Sequence, residues 1–231
     1  MRKINVIQIV MVHKFLFLVF IFSSLSVSAQ NRKSLDQKLD NFWKSKKTRA
    51  LAIAREVTFH SGDTIADVGT ADGWFIAALS AFTDSLTFYL EDIDSAAWNR
   101  AAFDSAVHRF STIRHKKVTH RFHHTIGTDT ATWLPGKTFH KVLMIDTYHH
   151  FIHRDEMLSD AVALLRPGGK IIILEALARR PGDIHKGCNT PVYGEQEIIG
   201  HLKAHELTLE KIVPIQKVAG RQNKLFIFVK Q

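Results

Sequence analysis

Thr64-Ile65-Ala66-Asp67-Val68-Gly69-Thr70-Ala71-Asp72-Gly73-Trp74-Phe75 begins as a short apolar run and reaches an acid. It then turns on glycines at 69 and 73 and enters a segment whose apolar residues, Phe75, Ile76 and Leu79, have helical spacing. The pattern predicts a strand, a tight turn and a helix. Glycine lets such a turn bring its backbone close to a ligand, and a helix N-terminus favours electron-rich groups. The acid restricts the ligand further. Where a glycine turn cradles a pyrophosphate, a carboxylate just ahead of it would repel the phosphates. Asp67 therefore suits a ligand that is cationic or donates hydrogen bonds.

Downstream, strand and helix patterns alternate. Leu86 to Leu90 reads as a second strand closed by Glu91-Asp92-Ile93-Asp94, and Ser95 to Phe110 as a helix. Val118 to Thr125 is the expected third strand and Phe139 to Ile145 the fourth. A helix is expected over Arg154 to Leu165, then a turn over Arg166-Pro167-Gly168-Gly169-Lys170 and a very apolar strand over Ile171 to Leu174. Ala178 to Gly194 is rich in Gly, Pro and Arg without apolar period, which reads as a substrate loop. A helix over Glu195 to His205 and two strands, Leu207 to Ile215 and Lys224 to Lys230, complete the chain. Ahead of all this, Leu35 to Val57 has helical spacing with basic residues on the opposite face, read as solvated.

Several motifs occur in order. Asp67, Gly69, Ala71 and Gly73 follow the pattern acid-x-Gly-x-Gly-x-Gly with alanine for the middle glycine. Leu134-Pro135 precedes the fourth strand and Asp146-Thr147-Tyr148-His149-His150-Phe151 follows it, while Leu165-Arg166-Pro167-Gly168-Gly169 precedes the fifth. Together they resemble the class I S-adenosylmethionine-dependent methyltransferases, over roughly Leu51 to Val229. The resemblance implies a doubly wound, mostly parallel, seven-stranded Rossmann-like α/β sheet after an N-terminal helical segment, with residues 30–231 as one domain. It implies S-adenosylmethionine as cofactor, held at Asp67, Gly69, Thr70, Ala71 and Gly73, with Asp146 near by. Asp92 would bind the ribose hydroxyls, with Glu91 and Asp94 as competitors, and Asp129 the adenine amine. Ligands of open α/β sheets bind where the strand order reverses, so Tyr148, His149 and His150 would border the reacting centre as the catalytic candidates. A histidine could serve as general base, although methyl transfer to a good nucleophile mostly needs alignment. The acceptor is not legible.

No metal site is expected. Alternation along a strand would send His123 and His124 to opposite faces, away from a shared ion with His120. His149 and His153 have the spacing of a helical pair without a further ligand. Asp146 and Glu175 are too few acids for a catechol-type metal enzyme, and one cysteine does not suit arsenic methylation. A nicotinamide oxidoreductase is opposed by Asp67 and by the lack of a Tyr-x-x-x-Lys pair. The alternative outside enzymes is a non-catalytic exported or membrane-anchored protein that binds S-adenosylmethionine or a nucleotide.

The chain has 231 residues, 45% of them hydrophobic, enough for one full core. Arg2, Lys3 and Lys14, the apolar run Phe15 to Phe22, and the small-residue end Val27-Ser28-Ala29 form the parts of a secretory signal peptide over residues 1–29. Periplasmic or secreted localisation is the expectation. The basic residues that follow the apolar run, from Arg32 to Arg49, leave inner-membrane anchoring with the domain in the cytoplasm as the alternative. Loss of residues 1–29 removes three basic residues and no acid, leaving +6 of the formal charge of +9. A mildly basic surface permits association with anionic membranes and gives no sign of a specific nucleic-acid partner. Cys188 is the only cysteine, which rules out an intrachain disulfide.

Overall fold

The computed structural model describes residues 32–231 except Lys137, Lys186 and Ala219, and of Val218 the backbone alone. The expected signal peptide lies outside the described residues. The chain forms two units. In the first, which ends at Lys44, residues 32–44 are helical. The second, Ser45–Gln231, carries the α/β fold. No helix among the described residues is long and apolar enough to cross a membrane.

The second unit opens with helix α1 (45–56). It continues through β1 (Thr64–Val68), α2 (Trp74–Ser80), β2 (Thr87–Asp92), α3 (Arg100–Ile113), β3 (Arg121–Ile126) and β4 (Phe139–Ile145). After a single 3-10 turn at Tyr148–His150 come α4 (Arg154–Leu164), β5 (Leu165–Ala176), β6 (Ile184–His185), β7 (Thr190–Pro191), α5 (Glu195–Ala204), β8 (Leu207–Val218) and β9 (Arg221–Lys230). Seven strands form one sheet in the order β3-β2-β1-β4-β5-β9-β8. The first five pair in parallel, and β9 lies antiparallel to both β5 and β8. This is the expected doubly wound sheet.

Central strands of a parallel sheet are covered on both faces and read as continuous apolar runs. Val142, Leu143 and Met144 of β4 and Ile171 to Leu174 of β5 are fully buried. The edge strand β3 instead alternates between exposed and half-buried positions. His123 stacks on Tyr89 and His124 on Trp98, so adjacent histidines do leave on opposite faces. His120 is tied to the backbone: Leu86 N–H donates to Nδ1, and Nε2 lies 3.1 Å from the carbonyls of Ser80 and Thr83.

Three boundaries differ from the sequence reading. α3 starts at Arg100 because Asn99 caps it, accepting from Ala102 N–H, whereas Asp94 makes a separate turn by accepting from Ala96 N–H. The Arg166–Gly169 stretch is no free-standing turn but an irregularity inside β5, between the pairs Phe139–Leu165 and Lys141–Lys170. The loop over Ala178 to Gly194 contains the small β6–β7 hairpin.

Candidate functional site

Strand order reverses between β1 and β4, and their carboxyl ends are where an open α/β sheet binds its ligand. Two turns meet there. Gly69 has φ +75°, and a Cβ on it would lie 1.9 Å from Thr147 Oγ1 in the turn after β4. Only glycine allows this approach. Gly69 and Thr70 N–H both donate to the Glu91 carbonyl at 2.9 Å, which ties the glycine turn to the end of β2. Gly73, at φ +73°, starts α2, and a Cβ there would press on Phe103, Leu90 and Trp98 at 2.8–2.9 Å. Ala71, in place of the middle glycine, adopts φ +50°. A side chain in that region costs about 1–2 kcal/mol.

Acids surround the turn. Asp67 is buried and has no cationic partner among the described residues. Burial pushes its carboxyl up to about 7; the Thr70 hydroxyl opposes the rise and the charge of Asp92 adds to it. Glu91 is also buried, with Oε1 unpartnered, and burial followed by the charge of Asp92 pushes it up to about 8. Its Oε1 would lie 2.1 Å from a Cβ on Gly127, so its side chain is turned toward the start of the loop after β3. Asp92 is half-buried and aligned on the turn: Ala71 N–H donates to Oδ2 at 2.7 Å and Asp94 N–H to Oδ1 at 2.9 Å. Of the three acids at the end of β2, Asp92 is the one whose carboxylate meets the glycine turn. Asp129, beyond β3, is exposed and lies 3.4 Å from His153 Nε2.

Asp146, directly after β4, has φ +55°, a conformation aspartate tolerates better than most side chains. Its carboxylate takes two hydrogen bonds of 2.6 Å from Arg49, whose own side chain is only 5% exposed. The basic face of the N-terminal helical segment was expected to be solvated, and Arg49 departs from that. A cation hidden from water needs such a bidentate partner. Burial and the charge of Arg49 push the neighbouring Lys46 amine down.

Tyr148 was expected at the reacting centre. Its side chain is instead wholly buried in the core with Ile198 and Leu202 of α5, and its hydroxyl lies 2.7 Å from His201 Nδ1. Burial raises its phenol above the ordinary range. His149 is 8% exposed and its Nδ1 lies 2.9 Å from Glu175 Oε2 at the end of β5. Burial opposes a charged ring there, yet the hydrogen bond and charge of Glu175, with Cys188 adding to them, raise His149 to about 9. Glu175 is itself raised, with burial outweighing its pairing to His149. His150 is exposed, its ring centroid 4.2 Å from that of His149, and burial and His149 lower it. Cys188, from the β6–β7 hairpin, joins the two histidines: one ligand atom from each of the three lies within 4.8 Å of the others. The sequence reading missed Arg49, Thr147 and Cys188 as members of this region.

Residues 29–210 match a family model described as a methyltransferase domain. The chain belongs to this methyltransferase family. Its fold and its family are those of a class I S-adenosylmethionine-dependent methyltransferase, with the acceptor unspecified. No curated protein matches the sequence significantly. Among solved structures, the methyltransferase chain is similar to an S-adenosylmethionine-dependent methyltransferase from Aquifex aeolicus, with TM-score 0.60 and 16% identity over 84% of this chain and 97% of that one. It is similar to the phosphoethanolamine N-methyltransferase 2 of Haemonchus contortus in complex with S-adenosylmethionine, with TM-score 0.56 and 14% identity over 79% of this chain and 52% of that one. The [4+2]-cyclase SpnF is similar at TM-score 0.62 and 12% identity, over 79% of this chain and 80% of that one. At these identities the likeness is one of fold.

The site residues fit the family's cofactor. A buried carboxylate with no counter-ion, set at a glycine turn, suits an ammonium group, and a carboxylate aligned on that turn suits a pair of hydroxyls.

Proposed function

We propose that the chain transfers the methyl group of S-adenosylmethionine to a nucleophile that enters beside His149 and His150, under the segment 178–194. The observation that carries this reading is the counter-ion-free Asp67 at the Gly69–Gly73 turn, with Asp92 aligned on the same turn. When bound, the cofactor supplies an electrophilic methyl on a sulfonium. Asp67 attracts the ammonium, Gly69, Thr70, Ala71 and Gly73 admit the methionine portion to the backbone, and Asp92 accepts from the ribose hydroxyls. Asp129 is positioned in sequence to meet the adenine amine. Asp146 lies at the carboxyl end of β4 beside the cofactor's methionine portion and is held there by Arg49. His149, fixed by Glu175, and the more exposed His150 border the acceptor. Their task is to orient the nucleophile and exclude water, the terms that dominate a displacement of this kind. Tyr148 supports the turn from the core.

We further propose export of the domain. The leader pattern of residues 1–29 supports it, and the family match begins at residue 29. N-terminal sequencing of protein from cell fractions tests it: a start at Gln30 in the periplasm or medium is expected, and an intact N-terminus on cytoplasmic protein overturns it.

Calorimetric titration of S-adenosylmethionine, and separately NADH, into the purified protein tests the cofactor reading. Saturable binding of the first alone is expected, with Asp92→Ala weakening it by about tenfold, equal to about 1.4 kcal/mol. No binding by folded protein overturns the site as drawn.

A further inference from the structure

The His149–His150–Cys188 cluster has more order than the methyl-transfer reading requires. His149 is more than nine-tenths buried, Glu175 occupies its Nδ1, and its Nε2 has no hydrogen-bond partner among the described residues. One ring nitrogen of His149 belongs to the group of ligand atoms formed with His150 and Cys188, and with Nδ1 taken by Glu175 the free nitrogen is Nε2. A buried, unpartnered imidazole nitrogen costs free energy unless something accepts its lone pair or its proton.

We propose that His149, His150 and Cys188 bind a zinc-like divalent transition metal, with a fourth coordination position open to water or to an incoming anionic donor. Two imidazoles and one thiolate suit zinc and its borderline neighbours, and do not suit magnesium or calcium, which take oxygen ligands. Ideal tetrahedral bonds of these types put the ligand atoms about 3.4–3.6 Å apart. The three atoms already lie within 4.8 Å of one another, so the set has only to contract to those separations.

The surroundings of the ligands support the assignment. Metal-binding histidines usually donate their other N–H to a carboxylate or carbonyl, which fixes the ring. Glu175 meets His149 Nδ1 in that way, from a side chain 3% exposed. The sulfur has supports as well: His185 Nδ1 lies 3.0 Å from Cys188 Sγ and Thr190 Oγ1 lies 2.8 Å from it. Both can donate to a thiolate, which favours the ligand form. The hairpin that carries Cys188 is itself anchored, since Arg221 donates to both carboxylate oxygens of Asp183 at 2.5 and 2.9 Å and to the carbonyl of Ile184. His124 Nε2 is also buried without a partner, but its ring stacks on Trp98, His123 leaves on the opposite face against Tyr89 and His120 is held by backbone, so these three form no such group of ligand atoms. The proposal rests on these side chains and not on the methyl-transfer reading.

Cobalt(II) titration of the reduced, untagged full chain, read by absorbance, tests the proposal, with zinc competition against a chromophoric chelator on the same samples. One cobalt per chain is expected, with a sulfur-to-cobalt band in the near ultraviolet and strong visible bands of a four-coordinate ion. Cys188→Ser should remove the near-ultraviolet band. His150→Ala, at an exposed position, should keep the fold and weaken zinc by about tenfold or more. Absence of a thiolate band in folded wild-type protein overturns the proposal, as does a band or a zinc affinity that both variants leave unchanged. Because metal binding is read without cofactor or acceptor, failure here is distinct from failure of the S-adenosylmethionine titration.

Discussion

At the scale of single residues, the glycine turn is a place where charge and backbone strain are stored together. Asp67 and Glu91 resist ionisation in the fold, at about 7 and about 8, because both are buried and both face Asp92. Asp160 adds to Glu91, while the Thr70 hydroxyl and the Gly69 N–H work the other way. The sign follows from linkage. Below the ordinary carboxyl range both folded and unfolded chains are protonated, and the fold keeps its full stability. As pH rises from about 4 to 8 the unfolded chain gives up these protons first, so stability is lost across that window. The contribution of these two groups to the stability of the ligand-free protein is therefore expected to fall between pH 5 and pH 8. The lowered histidines His120, His124, His140, His150 and His201 contribute with the opposite sign, so the fall is read as the difference between wild type and variant. Asp67→Asn should flatten that fall, and an unaltered slope in melting curves of the variant would show that Asp67 is already ionised. A cationic ligand at Asp67 should also expel its proton, giving a binding enthalpy near pH 6 that changes with the ionisation heat of the buffer. Ala71 explains why the family pattern asks for glycine: its φ of +50° is a conformation that a side chain reaches only under strain.

At the scale of elements, helix α1 is fastened to the carboxyl end of β4 by Arg49 and Asp146, 97 positions apart. The two ends of this pair are unequal. Arg49 is buried with its side chain 5% exposed, whereas that of Asp146 is 38% exposed. Removing Asp146 strands a cation away from water, at a cost of about 3–5 kcal/mol. Removing Arg49 leaves a carboxylate that water can reach, at a cost closer to 1 kcal/mol. Urea unfolding is expected to rank Asp146→Ala as clearly more damaging than Arg49→Ala, and equal costs would mean that the pair is hydrated in solution. The 3-10 turn after β4 divides three adjacent residues among three environments. Tyr148 enters the core, His149 meets Glu175, and His150 stays at the surface. Residues consecutive in such a turn project in different directions, so the three side chains do not share one environment.

At the scale of the whole molecule, the ends of β1, β2 and β4 converge on one crevice, so a ligand there links segments distant in the chain. A ligand that binds only the folded state stabilises it by mass action. At a concentration one hundred times its Kd, S-adenosylmethionine should add about 2.7 kcal/mol, or about 5–10 °C in melting temperature for a chain of this size. Thermal-shift measurements with NADH should give no change, and a shift with NADH alone would move the crevice to another cofactor class.

The sequence by itself determined β1, β4 and the turn between β1 and α2. A strand buried on both faces must be apolar through its buried length, and Val142–Ile145 of β4 is such a run, whereas His140 and Lys141 at its start turn to Asp63. A backbone with positive φ selects glycine, which marks residues 69 and 73. These constraints act locally, so they are written locally. The family motifs carried the strand order with them, because their sequence along the chain follows the winding of the sheet. The resemblance already favoured Asp92, and the structure shows that it is the Asp92 carboxylate, with Glu91 contributing its backbone carbonyl, that meets the turn. The tertiary structure alone decided that Tyr148 is buried and that Arg49 leaves the solvated face for Asp146. It alone brought Cys188 beside His149 and His150, across 38 positions of chain. Such pairings depend on which elements become neighbours and on which side chains must be neutralised or covered there. No periodicity within a segment records the charge or the shape of a partner that arrives from elsewhere in the fold.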